Sequence, residues 1–347
     1  MFPWGFIVLE LLKRYRKALL ILALPYLFVV LSMAVRIDYR VSTPGDLSPI
    51  AEFFELEEAQ TYPQENPFYS VYVMSIDRPT MFQYALGSVF PSLSVSELPP
   101  SREHISDRAN FESGQVARRA SLSASLIASL EREGYEVDYE ERTVLYLIYD
   151  YAVHDGLQIG DHIVRVNGDE NVVAAAKDAA CGEHHEFEIL RGEERRTHSA
   201  YKAERDGECT FGFIFRSEEI IIDIEIPYTV KETLIGGPSG GLMQALYVYN
   251  AVTEVDLSAG YTIAGTGTID KDGNVGNVGG VREKVITANR RNVDVFFVPY
   301  RETNTQNYDT AVATKEKFGY TLDIVGVETL SEAVNYLLSL QGGENDE

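Results

Sequence analysis

Two residues in this sequence are best suited to covalent chemistry: a serine in a glycine-rich turn and a lysine behind a second glycine pair. Ser239 lies in Gly236-Gly237-Pro238-Ser239-Gly240-Gly241, just before the apolar run Leu242 to Tyr247. Lys284 closes the run Gly279-Gly280-Val281-Arg282-Glu283-Lys284. A serine hydroxyl becomes a nucleophile only beside a base, most often histidine. No histidine follows His198, so lysine is the simplest partner, in a Ser-Lys arrangement. Lysine can act as a base only if burial lowers its pKa from about 10.4. The neighbours Val281, Val285 and Ile286 suit that demand. Other readings stay open on these residues alone. Ser239 is also a plausible helix cap, Lys284 an exposed lysine paired with Glu283 or Asp272, and the glycine turn a cradle for phosphate.

The elements around these residues must bring them together. Glycine lets the backbone approach a substrate closely, and a helix starting after Ser239 would aim free N–H groups at the reacting oxygen. From residue 206 the pattern is α/β. Strands are expected at Ile220–Ile226, Tyr261–Ile269 with a turn at 271–274, and Val293–Pro299, and helices after Ser239, Arg282 and Thr329. Residues 142–205 read as a separate β-rich module, with strands at 143–149 and 186–190, a hairpin turn at Asn167-Gly168 and a helix near 172–180. Earlier, 69–76 reads as a strand and 115–132 as a helix. The stretch 36–67 reads as irregular, broken by Pro44, Pro49, Pro63 and Pro67, and 77–109 as poor in regular pattern.

The chain has 347 residues and a net charge of −23, which argues against nucleic acid or anionic lipid as a main partner. Residues 18–35 carry no charge and follow Lys13, Arg14, Arg16 and Lys17. This pattern predicts a transmembrane helix over 18–36, with residues 1–17 cytoplasmic and the remainder outside, in a single-pass arrangement at the cell membrane. A cleaved signal peptide ending at Ser32-Met33-Ala34 is the competing reading. Cys181 and Cys209 either pair or remain two buried thiols. No cysteine or histidine spacing suggests a metal, no cofactor is expected, and no phosphate loop of the Gly-x-x-x-x-Gly-Lys-(Ser/Thr) kind occurs in the sequence.

Three motifs in order, Gly237-Pro238-Ser239-Gly240-Gly241, Thr266-Gly267 and Gly279 to Lys284, resemble the proteolytic domain of Lon-type serine proteases. The resemblance implies an α/β (α+β) fold, Ser239 as nucleophile, Lys284 as general base, and Thr266 as a hydroxyl that positions the amine. It further implies that Gly237 and Gly240 shape the turn, that Ile220–Ile226 is a strand at the substrate cleft, and that copies of the chain assemble in a hexameric ring. Gly240 stands where alanine is usual, a change expected to loosen the turn, and Thr268 where glutamate is frequent. The run Gly156-Leu157 to Asn167-Gly168 resembles PDZ domains of bacterial envelope proteases, although no clear carboxylate-binding loop accompanies it. Peptide binding and a purely structural role are both open for this module. Together these resemblances imply a membrane-anchored, ATP-independent endopeptidase acting on protein or peptide substrates outside the cytoplasm, the PDZ-like module at 142–205 recruiting or gating them. The protease domain would cover 206–347, and 37–141 would be a linker or the first part of that domain, with the module inserted into it. The alternative is a membrane-tethered PDZ scaffold with a silent protease fold.

Overall fold

The computed structural model describes residues 4–57, 61–62 and 67–342; the acidic tail beyond Gly342 and the breaker Pro63 lie outside them. The chain begins with α1 (Trp4–Ala34), β1 (Tyr39–Pro49), β2 (Phe54–Leu56), β3 (Phe68–Asp77), α2 (Met81–Val89), β4 (Ser94–Glu97) and α3 (Asp107–Arg132). A β-rich run follows: β5 (Val137–Ile148), β6 (Val153–His154), β7 (His162–Val166), α4 (Val172–Asp178), β8 (His184–Arg191), β9 (Glu194–Tyr201), β10 (Ala203–Arg205), β11 (Glu208–Thr210), β12 (Phe213–Ile224) and β13 (Tyr228–Val230). The chain then forms α5 (Gly241–Val252), β14 (Ile263–Gly265), β15 (Thr268–Ile269), β16 (Val275–Gly276), α6 (Val281–Arg290), β17 (Val295–Pro299), α7 (Gln306–Phe318), β18 (Asp323–Val327) and α8 (Leu330–Gly342).

The chain divides into two compact units, one of residues up to Pro44 with Met74–Pro100, the other of Gly45–Val73 with Ser101 onward. In the first unit, α1 ends at Ala34, so its charge-free stretch from Ala18 is seventeen residues long. At about 1.5 Å per residue that is roughly 26 Å, short of the ~30 Å hydrocarbon layer. Among the described residues no helix is long and apolar enough to cross a membrane, which corrects the expectation of a transmembrane helix over 18–36; the side chain of Leu19 in that stretch lies outside the described residues. The stretch 77–109 is more regular than its pattern suggests. Thr80 caps α2, and Gln83 returns the bond to the Thr80 N–H, a capping box that satisfies two helix-end donors. The stretch read as irregular likewise holds β1, a strand despite two prolines. It pairs with β4 over Tyr39–Ser42, and Pro44 and Pro49 fall beyond that ladder.

In the second unit, β18, β17, β14 and the Phe68–Ser70 part of β3 run side by side and parallel. Their side chains alternate between two cores. Phe68, Ile263, Val295 and Phe297 face a core shared with α3, α5 and α8. Val71, Ala264, Phe296 and Val298 face another shared with α6 and α7. The strands are thus buried on both sides, in a three-layer α/β arrangement. Helix α7, followed by β18, was not predicted; its sequence is largely polar, and it ends at Gly319 with φ +66°.

Between α3 and α5 the chain builds the β-rich module, an antiparallel sheet in the order β12-β5-β7-β8-β9-β6. Its core joins Leu145, Leu157, Ile163, Val166, Phe187 and Phe211 to the inner face of α4. Asn167 and Gly168 have φ of +52° and +82°, the positive pair that a tight hairpin turn demands. Cys181 and Cys209 form a disulfide. The long β12 belongs to this sheet and pairs with β5 from Phe213↔Ile148 to Ile224↔Val137.

Candidate active site

Ser239 and Lys284, forty-five residues apart in sequence, meet in one cleft. The Lys284 amine donates to Ser239 Oγ at 2.8 Å and to Thr266 Oγ1 at 2.7 Å. Thr266 Oγ1 in turn donates to the Ser239 carbonyl at 3.0 Å, and the Gly267 N–H reaches the same carbonyl at 2.9 Å. The Leu242 N–H then donates to the Gly267 carbonyl at 3.1 Å. These bonds clasp the serine turn to the segment joining β14 and β15.

Each partner is placed by its own element. Ser239 precedes the first turn of α5, for which Gly240 is the cap. Lys284 sits in the first turn of α6, its N–H bonded to the Gly280 carbonyl at 3.0 Å. Gly280 has φ +71°, and a methyl group there would stand 2.7 Å from Val73 Cγ2, so only glycine fits this cap. Lys284 is 2% exposed, and desolvation lowers its pKa to about 7 because burial penalises the charged form. The competing ion pairs are not made: Glu283 pairs with Arg282 at 2.9 Å and Asp272 with Lys271 at 3.2 Å.

The turn leaves two donors for a developing oxyanion. Pro238 has no N–H, Gly237 donates to the Gly114 carbonyl at 2.7 Å, and Gly241 donates to the Pro238 carbonyl at 3.2 Å. The N–H groups of Ser239 and Gly240 remain without a hydrogen bond among the described residues, beside a hydroxyl and a base, an arrangement suited to acyl transfer. Gly237, at φ +96°, allows the turn. Gly240 does not loosen it: a methyl group there would lie 2.8 Å from Ser70 Oγ, so the Ser70 hydroxyl fills the space an alanine would use. The cleft has a volume of about 220 Å³ and is walled by Ser70–Val73 of β3. Ile220–Ile226 does not border it, contrary to expectation. Through Ile224 that segment is held in the module's sheet by β5, and alternation of side chains says nothing about which strand is the neighbour.

Other residues that support the site went unread in the sequence. Ser121, Ser125 and Ser129 line one face of α3, and their hydroxyls donate to the carbonyls of Pro238 at 3.1 Å, Gly241 at 3.0 Å and Ala245 at 2.8 Å. Both sets of numbers rise together, so α3 and α5 run in the same direction, with the serine turn fastened to α3. The four-residue spacing of these serines was the available signal.

Residues 212–339 match the family described as the Lon protease (S16) C-terminal proteolytic domain. The chain is 35% identical over 111 residues to a Lon protease of Clostridioides difficile (strain 630), covering 32% of this chain and 13% of that protein. It is 31% identical over 96 residues to a Lon protease of Aster yellows witches'-broom phytoplasma (strain AYWB), covering 28% and 11%. A Lon protease of Neorickettsia sennetsu (strain ATCC VR-367 / Miyayama) is 26% identical over 135 residues, covering 38% and 15%. The chain thus spans less than a sixth of the length of these relatives. The residues matched to that proteolytic domain include Ser239, Thr266 and Lys284.

Proposed function

We propose that this protein hydrolyses peptide bonds of protein substrates with a Ser239–Lys284 dyad and without ATP. The observation that carries the reading is a buried amine, its pKa lowered to about 7, at 2.8 Å from a serine hydroxyl. Neutral Lys284 takes the proton of Ser239 Oγ as that oxygen attacks the substrate carbonyl carbon. The N–H groups of Ser239 and Gly240 stabilise the resulting oxyanion; one such donor contributes roughly 3–4 kcal/mol. Lys284 then protonates the leaving amine, and water, deprotonated by the same lysine, releases the acyl group from Ser239. A silent scaffold would leave the lysine exposed or beyond hydrogen-bond reach, and neither applies to Lys284.

The module with its Gly156–Gly168 run is assigned the recruitment or gating of substrate, supported by a groove of about 880 Å³ between that module and α3. Action outside the cytoplasm is supported by the Cys181–Cys209 disulfide, since such bonds persist in oxidising compartments. Attachment to a membrane is supported by the exposed apolar residues of α1, among them Leu20, Ile21, Leu24 and Phe28, and carbonate extraction of membranes tests it. Assembly into a ring is carried over from the resemblance to Lon-type domains, and sedimentation tests it.

The deciding experiment is casein cleavage by the full chain without nucleotide, beside Ser239→Ala and Lys284→Ala. Loss of cleavage in both variants is expected, and undiminished cleavage by Ser239→Ala would overturn the mechanism.

A further inference from the structure

Among the described residues, the cleft beside Ser239 is bordered by two cationic side chains, Lys284 and Arg118, and by no carboxylate. That is unusual for a chain with 53 acidic and 30 basic residues. Lys284 is uncharged when it acts as a base, so Arg118 is the permanent charge there. It extends from α3, and it also borders the larger groove between α3 and the module. Arg118 therefore stands where the groove opens into the catalytic cleft.

Its neighbours on α3 are neutralised and it is not. Arg119 pairs with Glu218 at 3.0 Å, and Arg108 with Glu112 at 2.7 Å. Among the described residues, the one hydrogen bond of Arg118 runs from Nε to Gln115 Oε1 at 3.2 Å. That bond orients the guanidinium and leaves both terminal nitrogens unspent. Burial, with Arg119 adding to it, pushes the Arg118 pKa below its ordinary value. Gln115 presents a further donor: its Nε2 is buried without an acceptor. Gln115 and Arg118 are three residues apart, on one face of the helix. Among the described residues the terminal nitrogens of Arg118 thus meet no acceptor, whereas Arg119 is closed by Glu218.

We infer that Arg118, oriented by Gln115, binds an aspartate or glutamate side chain of the substrate next to the scissile peptide, so that acidic segments are selected for cleavage. This rests on the serine-peptidase reading of the same cleft. A carboxylate matches the fork of the guanidinium with two parallel hydrogen bonds. A free C-terminal carboxylate has the same chemistry and is separated from a side chain by the test.

The test uses the full chain with Ser239→Ala, which binds without cleaving, and fluorescein-labelled dodecapeptides with Glu-Glu, Gln-Gln or Lys-Lys at the centre, each amidated at the C-terminus. Fluorescence anisotropy is expected to show the Glu-Glu peptide binding at least tenfold tighter than its Gln-Gln twin. Arg118→Gln should abolish that ratio, and Arg118→Glu should invert it in favour of Lys-Lys, which also shows that the variant is folded. Equal binding of the Glu-Glu and Gln-Gln peptides would overturn the assignment. So would a preference that appears only when the C-terminus is a free acid. In the same set, wild-type protein that binds Glu-Glu yet cleaves none of the peptides would strike the peptidase reading alone and leave the Arg118 site standing.

Discussion

Thr266 Oγ1 lies 2.7 Å from the Lys284 amine while giving its own proton to the Ser239 carbonyl at 3.0 Å. A hydroxyl has a single proton, so toward the lysine Thr266 acts as acceptor. One N–H of the neutral amine is thereby fixed on Thr266, and its lone pair is free to face Ser239. Replacing the hydroxyl by a methyl, Thr266→Val, keeps the shape of a fully buried side chain and removes this constraint. A fall in kcat on the order of 10- to 100-fold is expected, because misdirected groups lose about that much. KM should stay near its wild-type value, and Thr266→Ser should restore most of the rate. Steady-state kinetics on a quenched fluorescent peptide would check the series.

The pH dependence follows from the burial of Lys284. Its pKa is lowered to about 7 by desolvation, and only the neutral amine accepts the serine proton. Activity should therefore be lost as pH falls below about 7, approximately tenfold per unit, and should level off above it. A plot of log kcat/KM against pH should show this ascending limb in wild type. A midpoint near 10, the value of an exposed lysine, would mean that the amine is not desolvated in solution.

The serine face of α3 sets up a stability prediction. Ser125 is fully buried, and the single proton of its hydroxyl is shared between the Ser121 carbonyl of its own helix at 2.7 Å and the Gly241 carbonyl at 3.0 Å. Ser125→Ala should cost about 1–2 kcal/mol, the worth of a buried hydrogen bond whose partner is left behind. Ser125→Val should cost more, because the added methyl groups enter a close helix contact. Urea denaturation of both variants measures this. Equal stability of wild type and Ser125→Ala would show that the hydroxyl does not fasten α5.

How much of this was legible in the sequence depends on whether the cause is local. The glycines around Ser239 and ahead of Lys284 announce a turn and a helix cap by their own conformational freedom, so the two residues stood out. The Asn167-Gly168 turn was legible for the same reason. What placed Ile220–Ile226 at the cleft was resemblance, and its real partner, β5, depends on pairing across some eighty residues. The carbonyl of Gly114 was silent, and the spacing of Ser121, Ser125 and Ser129 was a weak signal because small polar residues inside a helix are neutral in a hydrophobic periodicity count; their role exists only once α5 lies alongside. Helix α7 was missed because few of its residues are buried, Asn307, Ala311 and Thr314, and three such positions make too thin a stripe to read.

The Cys181–Cys209 disulfide is a fastening of the β-rich module. Cys181 follows α4 and Cys209 lies in β11, 28 positions apart in sequence. Closing a loop of that size removes chain entropy worth roughly 3–4 kcal/mol from the unfolded state. The C-terminal end of α4 is also held by Lys202, whose amine donates to the carbonyls of Ala176, Lys177 and Ala179. Reduction therefore removes one of two fastenings, and the module should melt at lower temperature while remaining folded at 25 °C. Calorimetry with and without dithiothreitol should show one transition move down, and Cys181→Ser/Cys209→Ser should reproduce the reduced curve. The dyad draws no bond from α4 or β11, so a short peptide should still be hydrolysed by the reduced protein at temperatures below that transition. Loss of this hydrolysis on reduction, at a temperature where calorimetry shows the module folded, would mean that the module controls the serine turn directly.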